Sequence, residues 1–502
     1  MSSKSPLAHV DAATFQQALK AFAMIVGSEH LIDDPADLAN FSRPLMPVDE
    51  QSHAPGAVVS PASVEEVRAL LRVAAEHRVP LWPVSTGRNF GYGSTRVAVA
   101  GTVLLELRRM DRILDIDPVL CTALVEPGVT YQMLADRIAA EKLPLWLDFP
   151  APGPLVGPTG NTLERGGGTT PYFDHFGHSC GFEVVLADGT VLRTGMGGVR
   201  GTKAWQAYRY GFGPTLDGIF TQSNFGVVTK MGLWLMPAPE AHRTFLAAWP
   251  NDADLARAVD AIRPLRLDGT IGNNGTIAND ILMLTGVVKR SNLFDGTGAI
   301  PANIARKAAA TKGLGAWNYL YSIYGRADRV MADTAVVTRA LEAAGATVVP
   351  DIPDPMQIGK LSLETFTLFD WRGGGGLAWF SPVCTARGDE AAAQMAVART
   401  IMEAHGIDFM TGATMDGREM LNVMPLAFDR GDPAVTEQAD RCMRALYDAF
   451  AAKGWGFYRA GIGYMDRVAE IHGEAQRAVN RRLKRALDPL GIIAPGKSGI
   501  AL

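Results

Sequence analysis

The chain has 502 residues, of which 47% are hydrophobic and 20% are charged, and its formal net charge is −4. This length allows two or more domains, and the composition is that of an ordinary globular protein. A mildly acidic chain without a Lys/Arg run argues against nucleic acid or an anionic membrane surface as the main partner. The N-terminus lacks the apolar core of a signal peptide, and no apolar run reaches the ~18 residues of a membrane span. We therefore expect a cytoplasmic protein.

Neither disulfides nor a metal site are expected. The four cysteines, at positions 121, 180, 384 and 442, are too few and too scattered for a disulfide framework or a cysteine-based zinc site. His175 and His178 could form a two-ligand clip, but no third ligand is spaced to join them. We therefore expect the four cysteine thiols to be reduced and no metal ion to be bound.

The first predicted elements lead into a glycine-rich loop. Residues 57–60 are predicted as a strand, and Ser63 with Glu66 predicts a capping box, in which each side chain satisfies the other's free backbone N–H at a helix start. Residues 80–84 form the next predicted strand, which delivers the chain into PVSTGRNFGYG, residues 83–93.

Glycines at positions 87, 91 and 93 let this loop turn its backbone N–H groups toward an anion such as a pyrophosphate. The spacing fits neither G-x-G-x-x-G nor G-x-x-x-x-G-K-[ST], so an ordinary surface turn is the alternative. The preceding strand, helix and strand favour a nucleotide cradle, because a sheet edge holds such a loop rigid.

Strands and loops alternate downstream of this loop. Strand-like runs at residues 102–107, 112–117 and 122–126 precede a helix that begins near Thr130. Residues 149–170 are rich in proline and glycine and are predicted as a long, functional loop. A hairpin is then predicted over residues 181–195, with its turn at Asp188-Gly189.

The pattern changes after Pro237. Residues 239–455 alternate helices with separated strands, which indicates a second, α+β domain with an antiparallel sheet. The predicted helices cover residues 252–262, 330–343 and 390–405, and the predicted strands cover residues 245–249, 346–349 and 377–380. Five methionines between Met402 and Met424 are interpreted as core filler rather than as a substrate wall.

Two clusters of ionisable residues are candidates for chemistry. Asp174 lies in GGGTTPYFDHFGHSCG, where apolar neighbours could raise the carboxylate pKa by desolvation and make it a base; a structural Asp is the alternative. Tyr458 and Arg459 are adjacent in a predicted strand within residues 454–466. Both reach one ligand only if that strand bends or the ligand sits at its end. They could then hold an anion, a surface ion pair being the alternative.

Several segments together resemble the flavoprotein family of vanillyl-alcohol oxidase, eugenol oxidase and p-cresol methylhydroxylase. They occur in the family's order and are PVSTGRNFGYG, LVEPGVTY, GNTLERGGGTTPYFDHFGHSCGFEVVLADG, TQSNFGVVTKMGLWLMP, WFSPV, GWGFYRAGIGYMD and DPLGIIAPGKSG. The resemblance implies an α+β fold in which a two-part FAD-binding domain of the p-cresol methylhydroxylase type comprises residues 1–238 and 456–502. Residues 239–455 would be an inserted α+β cap domain on an antiparallel sheet.

The resemblance also implies roles for individual residues. Tyr92, Tyr458 and Arg459 would bind a phenol oxygen as phenolate, and Asp174 would be the catalytic acid/base. The residues expected to bind FAD are Pro83, Ser85, Thr86, Gly87, Arg88, Asn89, Phe90, Gly91, Glu126, Pro127, Gly128, Gly160, Asn161, Ser223, Asn224, Gly226, Val228, Arg459 and Lys497.

The implied activity is oxidation of para-substituted phenols, namely 4-hydroxybenzyl alcohols of lignin type and 4-alkyl or 4-allyl phenols. An ionised phenol stabilises cationic character at the benzylic carbon, so that hydride can leave to flavin N5 and give a p-quinone methide. An oxidase that releases H2O2 is expected; the alternative is a dehydrogenase or hydroxylase that passes electrons to a cytochrome c or another carrier. Relatives imply a homodimer or a larger homo-oligomer.

The sequence departs from the family's pattern at one position. Aligning on WFSPV places Leu377 where relatives carry the residue joined covalently to FAD, and leucine cannot form that bond. The glycine loop offers no His, and GNTLERGGG offers no Cys, for other known linkages. We therefore expect noncovalent FAD. A flavin-binding protein without catalysis is a further alternative, which the presence of Tyr92, Asp174, Tyr458 and Arg459 disfavours.

Overall fold

The structure is a computed structural model that describes residue 7 and residues 9–41, 45–353 and 367–502. Within these residues the helices are α1 (Ala12–Val26), α2 (Pro35–Phe41), α3 (Val64–His77), α4 (Tyr131–Ala140), α5 (Pro158–Leu163), α6 (Leu255–Leu267), α7 (Asp280–Leu284), α8 (Ala302–Ala310), α9 (Ala327–Ala343), α10 (Gly388–Ala404), α11 (Pro433–Ala452), α12 (Met465–Ile471) and α13 (Glu474–Leu487).

The strands are β1 (Leu31–Ile32), β2 (Ala57–Val59), β3 (Leu81–Val84), β4 (Val103–Glu106), β5 (Ile113–Asp117), β6 (Thr122–Val125), β7 (Leu145–Trp146), β8 (Ser179–Val185), β9 (Val191–Arg193), β10 (Val227–Trp234), β11 (Met236–Pro237), β12 (Ala241–Trp249), β13 (Thr276–Asn279), β14 (Trp317–Gly325), β15 (Thr347–Pro350), β16 (Gly376–Phe380), β17 (Val383–Thr385), β18 (Gly412–Met415) and β19 (Glu419–Phe428).

The first sheet has the strand order β1-β2-β4-β3, and β4 runs parallel to both β2 and β3. Helix α3 connects β2 to β3, as the sequence predicts, and it buries the stripe Val67, Leu70, Leu71 and Ala74. The expected cap differs in one contact. Ser63 accepts from the Glu66 N–H, but the Glu66 carboxylate accepts from Ala62 rather than from Ser63.

The C-terminal segment extends this sheet next to β3. The Leu81 N–H donates to the Ile492 carbonyl at 2.8 Å, and the Ala494 N–H donates to the Leu81 carbonyl at 2.8 Å. The end of the chain is thereby held beside the strand that leads into the glycine loop, which brings Lys497 to the same place.

The second sheet is antiparallel, with the order β5-β6-β10-β8-β9. Strands β8 and β9 form the predicted hairpin, and Gly189 at its turn has φ +82. The prediction of a long loop over residues 149–170 is wrong in one part, because helix α5 lies within this range. Pro158 occupies the first turn of α5, where its fixed φ suits a helix and its missing N–H is not needed.

The largest sheet uses only residues between 241 and 428 and is antiparallel throughout, in the order β15-β12-β14-β13-β18-β19-β16, with β17 also pairing β19. Helices α6 and α10 pack on each other, and α9 packs on β12 and β14. The prediction that five methionines pack in the core is confirmed, since all of them are fully buried: Met402, Met410, Met415, Met420 and Met424. No helix in the described ranges has both the length and the apolarity to cross a bilayer.

Candidate active site

A cleft of about 300 Å³ runs along the carboxyl end of β3. Its walls come from four separated parts of the chain, namely residues 82–96, residues 150–167, residues 220–228 and residues 458–465 with Lys497. Two side chains of the largest sheet, Trp379 and Val423, also reach it. A cleft between elements that are distant in sequence is the usual location of a cofactor or substrate site.

Most residues proposed to bind FAD line this cleft. They are Pro83, Ser85, Thr86, Gly87, Arg88, Asn89, Phe90, Pro127, Gly160, Asn161, Ser223, Gly226, Val228, Arg459 and Lys497.

The glycine loop is fixed in the cleft wall by Trp379 from β16. The Trp379 indole N–H donates to the Phe90 carbonyl at 2.9 Å, and its backbone N–H donates to the Gly91 carbonyl at 3.3 Å. Gly91 has φ +72, and a Cβ there would lie 2.3 Å from the Trp379 ring. Glycine is therefore required at position 91 both by the backbone conformation and by the close approach of the indole.

Tyr92 and Tyr458 are brought together by the chain after β16. The Tyr92 hydroxyl lies 2.6 Å from Ser381 Oγ, and the Tyr458 N–H donates to the Ser381 carbonyl at 3.3 Å. Burial raises the pKa of Tyr92 well above its ordinary value, and the neighbouring Tyr458 adds to this effect. Tyr92 therefore stays protonated and remains a hydrogen-bond donor at neutral pH.

The strand predicted around Tyr458 and Arg459 is wrong. Phe457 forms a single bridge to Pro382, and the chain then bends at Tyr458 without entering a strand. Irregular backbone lets two adjacent side chains face one side, so that both residues line the cleft. The Tyr458 carbonyl is held by the Gln222 amide at 2.8 Å.

Arg459 lies between an aromatic ring and a carboxylate. Its guanidinium carbon is 4.1 Å from the centroid of the Tyr92 ring, and one terminal nitrogen donates to the Asn89 side chain. Its Nε is 3.9 Å from Glu164 Oε2, and the other oxygen of Glu164 pairs with Lys497. Glu164 was not among the predicted site residues, although it is the acid of the quoted GNTLERGGG segment.

Three proposed FAD-binding residues lie behind the cleft wall rather than on it. Glu126 is fully buried, and its carboxylate is paired with the Arg112 guanidinium at 2.6 Å. A Cβ on Gly128 would lie 2.4 Å from the Arg108 carbonyl. Asn224 donates to the carbonyls of Ala494 and Ile500, both at 3.0 Å. The contacts of these three residues support the wall from behind. Gly91, a fourth proposed FAD-binding residue, is also not on the lining and faces Trp379 instead.

The buried environment expected for Asp174 is absent, because its side chain is exposed. Of its aromatic neighbours, Phe176 packs toward Phe182 in the core instead of covering the carboxylate. Asp174 is nevertheless paired through its backbone with Gly167, which lines the cleft. The backbone of Asp174 therefore borders the cleft, whereas its carboxylate is not part of the lining and lies beside Gly177, where a Cβ would be 2.2 Å from Oδ2.

His175 belongs to a buried hydrogen-bonded group instead of a metal clip. Its Nε2 lies 2.9 Å from an Asp148 carboxylate oxygen, and its Nδ1 faces the Asn161 side-chain oxygen. The other Asp148 oxygen accepts from the N–H groups of Thr169 and Thr170, both at 2.8 Å. This group fixes the orientation of Asn161 in the cleft wall, a role that sequence spacing does not reveal.

The cleft lining fits a bound FAD. Ser85 and Gly160 approach so closely that a Cβ on the glycine would lie 2.1 Å from Ser85 Oγ, so position 160 has no room for a side chain beside Ser85. Among the described residues, Thr159 Oγ1 is buried on the lining without a hydrogen-bond partner. Buried polar groups of this kind are normally satisfied, so this hydroxyl is available to a ligand.

The comparisons with known proteins agree with this lining. A family model described as FAD binding domain matches residues 55–195, and one described as FAD linked oxidases, C-terminal domain, matches residues 308–498. The flavoprotein subunit of the hydroxylating 4-cresol dehydrogenase of Pseudomonas putida is 40% identical over 500 residues, covering 97% of this chain and 96% of the relative. The chain belongs to the p-cresol methylhydroxylase family of FAD-linked flavoproteins.

Two solved structures share the whole fold of this family member. The crystal structure of p-cresol methylhydroxylase with substrate bound has a TM-score of 0.96 at 39% identity, covering 99% of this chain and 98% of that chain. The isoeugenol complex of 4-ethylphenol oxidase from Gulosibacter chungangensis has a TM-score of 0.94 at 34% identity, covering 99% of each chain. The predicted fold class is confirmed, and the protein is a flavin-dependent oxidoreductase with FAD as its cofactor.

Leu377 does not lie on the cleft lining. It is fully buried in an apolar cluster with Ile281, Met410 and Ala427. Among the described residues that line the cleft there is no His or Cys, and Tyr92 and Tyr458 are its tyrosines.

Proposed function

We propose that this protein oxidises para-substituted phenols, with 4-hydroxybenzyl alcohols and 4-alkyl or 4-allyl phenols as its substrate class. The observation that carries this proposal is the convergence of Tyr92, Tyr458 and Arg459 at one end of the cleft. Two phenol donors and a guanidinium suit a phenolate oxygen. The names of the relatives, 4-cresol dehydrogenase and 4-ethylphenol oxidase, support the same class.

The site residues act by stabilising the ionised substrate. Tyr92 and Tyr458 donate hydrogen bonds to the phenolate oxygen, and Arg459 supplies positive charge beside it. FAD, when bound, supplies the hydride acceptor. With the phenol ionised, loss of hydride from the benzylic carbon leaves a neutral p-quinone methide, and the site needs no further charge to balance that step.

Asp174 is proposed to move the proton of the second stage. From a benzylic alcohol it accepts the hydroxyl proton, which gives an aldehyde or ketone. From an alkylphenol it accepts a proton from water as the hydroxide adds to the quinone methide, which gives a hydroxylated product. Its pairing with Gly167 of the lining supports this position beside the substrate.

The electron acceptor is proposed to be O2, which makes the protein an oxidase that releases H2O2. A dehydrogenase that passes electrons to a cytochrome c or another carrier is the second candidate, and the 40% identity to a dehydrogenase favours it. Stopped-flow mixing of the reduced enzyme with air-saturated buffer separates the two. Fast reoxidation with peroxide release is expected for the oxidase, and slow reoxidation supports the dehydrogenase.

We also infer the division of the chain and the state of its cofactor. Residues 1–238 and 456–502 would form the FAD-binding domain, since the C-terminal segment pairs with β3, and residues 239–455 would form the cap, which contains the whole of the largest sheet. FAD would be held noncovalently, and the protein would form a homodimer or a larger homo-oligomer.

The test of the function is a panel of para-substituted phenols added to the FAD-loaded enzyme under nitrogen. Bleaching of the flavin absorbance reports hydride transfer independently of the acceptor. We expect rapid bleaching by 4-hydroxybenzyl alcohols and 4-alkylphenols and none by the matching 4-methoxy ethers, which cannot ionise. If no phenol bleaches the flavin, the proposed function is wrong.

A further inference from the structure

The cleft has an uneven distribution of charge. Among the described residues, the lining contains one acidic side chain, that of Glu164. It contains four cationic side chains, which are Arg88, Arg96, Arg459 and Lys497. Glu164 is largely buried, with 19% of its side chain exposed, and both of its nearest cations are 11% exposed. A single carboxylate surrounded by cations in a site for an anion requires an explanation, because removing it would strengthen anion binding.

Glu164 contacts two cations of the lining, and one of them, Arg459, lies over the Tyr92 ring. One oxygen pairs with Lys497, and the other lies 3.9 Å from Arg459 Nε. Burial works to raise the pKa of Glu164, but the charges of Lys497 and Arg459 outweigh it and the pKa is lowered overall. Glu164 is therefore ionised at neutral pH, and the three groups together carry one net positive charge.

The other cations of the lining are occupied elsewhere. Arg96 donates to the Glu50 carbonyl at 3.0 Å, and Arg88 lies over the Phe90 ring at 5.6 Å. Glu106 pairs with Arg108 at 2.8 Å, behind the lining. Of the cations on the described lining, Lys497 and Arg459 are therefore the ones that Glu164 contacts.

The position of Glu164 is fixed by its backbone. It directly follows α5, and its N–H donates to the Gly160 carbonyl at 3.2 Å. The Gln222 amide joins the Glu164 carbonyl, at 3.4 Å, to the Tyr458 carbonyl, at 2.8 Å. The carboxylate and the phenolate-binding pair therefore belong to one rigid group.

We propose that Glu164 is a positioning residue that limits how tightly this site holds a phenolate, by pairing with Lys497 and Arg459 and reducing their combined charge to one. This proposal rests on the function proposed above. A net charge of one favours ionisation of a phenol, whereas a net charge of two would also retain a phenolic product after oxidation. Glu164 thus balances substrate ionisation against product release.

The test is the binding of 4-chlorophenol, which has no benzylic hydrogen and cannot be oxidised. Its dissociation constant is measured between pH 6 and pH 10 by perturbation of the flavin absorbance. For Glu164→Gln we expect binding about tenfold tighter at pH 7.5, because the apparent pKa of the bound phenol falls by about one unit. In steady-state turnover by Glu164→Gln, we expect KM to fall because the substrate binds more tightly and kcat to fall because the product leaves more slowly. A merely structural defect does not lower both constants.

Three variants serve as controls. Glu164→Asp keeps the charge and is expected to bind 4-chlorophenol as the parent does. The double variant Glu164→Gln/Lys497→Met restores a net charge of one, so its pH profile returns toward that of the parent. Glu141→Gln removes an exposed carboxylate of an i,i+4 ion pair and leaves the profile unchanged.

Unchanged or weaker binding of 4-chlorophenol by FAD-loaded Glu164→Gln overturns the proposal. Should this variant fail to retain FAD, Lys497→Met carries the test, with excess FAD in the assay because Lys497 is itself a proposed FAD-binding residue. The charge count then predicts about tenfold weaker binding, and unchanged binding overturns the proposal equally. Failure here is distinct from failure of the proposed function, since the parent enzyme would still be bleached by the substrate panel.

Discussion

The Arg459 guanidinium lies over the Tyr92 ring, with 4.1 Å between the guanidinium carbon and the ring centroid. This contact places a fixed positive charge beside a phenol hydroxyl that burial keeps protonated. A hydrogen-bond donor and a cation are therefore held together at the cleft wall before any ligand arrives. Such preorganised groups stabilise a developing or bound anion without the cost of reorganising at the moment of reaction.

Removal of the Tyr92 hydroxyl tests this arrangement. For Tyr92→Phe we expect the rate of anaerobic flavin bleaching to fall by about 10²-fold, since loss of one such donor typically costs 10²–10³ in rate. Tyr447→Phe is the matched control, because the Tyr447 hydroxyl is also buried but has no hydrogen-bond partner in the part of the chain that the structure describes. Equal bleaching rates in the two variants would argue against a role for the Tyr92 hydroxyl.

Asp174 is tested by the contrast between binding and turnover. Asp174→Asn keeps the size of the side chain but cannot accept a proton, so turnover of a 4-hydroxybenzyl alcohol is expected to fall by about 10²–10⁴-fold. The dissociation constant of 4-chlorophenol should change by less than about threefold, because the phenolate contacts remain. Asp115→Asn, at an exposed position of β5, is the control. Undiminished turnover by Asp174→Asn for every alcohol tried removes the assigned role.

Several features of this site followed from sequence patterns, because they depend on local order. The β3 strand and the glycine loop come directly from the apolar run and the three glycines, and α3 with its buried stripe comes from a 3.6-residue period. The return of Lys497 to the same cleft does not follow from local order, since the pairing of Ala494 with Leu81 joins distant parts of the chain.

Other features depend on contacts that a sequence pattern does not contain. The irregular backbone at Tyr458 results from its hydrogen bonds to Ser381 and Gln222, and these override the local preference for a strand. The resemblance implies a role for Glu126 in binding FAD, whereas its carboxylate is paired with Arg112. The exposure of Asp174 depends on where the flanking phenylalanines pack, which is a tertiary property.

Noncovalent FAD is tested by acid precipitation. Trichloroacetic acid should leave the yellow colour in the supernatant, because Leu377 cannot bond to the flavin and the described lining contains no His or Cys. A yellow pellet contradicts this. Leu377→His is a sharper variant: its side chain would enter the apolar cluster of Ile281 and Met410 rather than the cleft, so we expect a less stable protein with FAD still released by acid.

The buried pair of Lys484 and Asp488 is expected to be essential for the C-terminal segment. The ammonium lies 2.7 Å from the carboxylate and also donates to the carbonyls of Asn224 and Ile493. Asp488→Ala leaves a buried charge unpaired, which costs about 3–5 kcal/mol, and it also frees the N–H groups of Ile492 and Ile493. Urea unfolding should show this loss.

The control for that experiment is Glu437→Ala, which breaks an exposed pair with Arg441 and should cost less than about 1 kcal/mol. Because the segment pairs with β3, Asp488→Ala should also release FAD at a lower urea concentration than the parent. Equal losses of stability in the two variants would show that the buried pair has no special role.

Glu419 is expected to make the stability of the protein depend on pH near neutrality. Burial raises the pKa of Glu419 from its ordinary value to about 7, and the neighbouring carboxylates of Asp416 and Asp174 act in the same direction. The folded protein therefore binds a proton here that the unfolded chain has already lost above about pH 4.5. The contribution of Glu419 to stability is therefore greatest below that pH, declines as pH rises toward about 7, and is constant above it.

Glu419→Gln removes the titrating group while keeping the shape of the neutral acid. We expect its melting temperature to vary less than that of the parent between pH 5 and pH 8, with the two proteins similar near pH 5 and the variant more stable near pH 8. The physical reason is that the glutamine avoids the cost of a partly buried charge beside Asp416. Glu437→Gln, at an exposed position, should follow the parent curve. A melting profile of Glu419→Gln that runs parallel to the parent at every pH would show that Glu419 keeps an ordinary pKa in the folded protein.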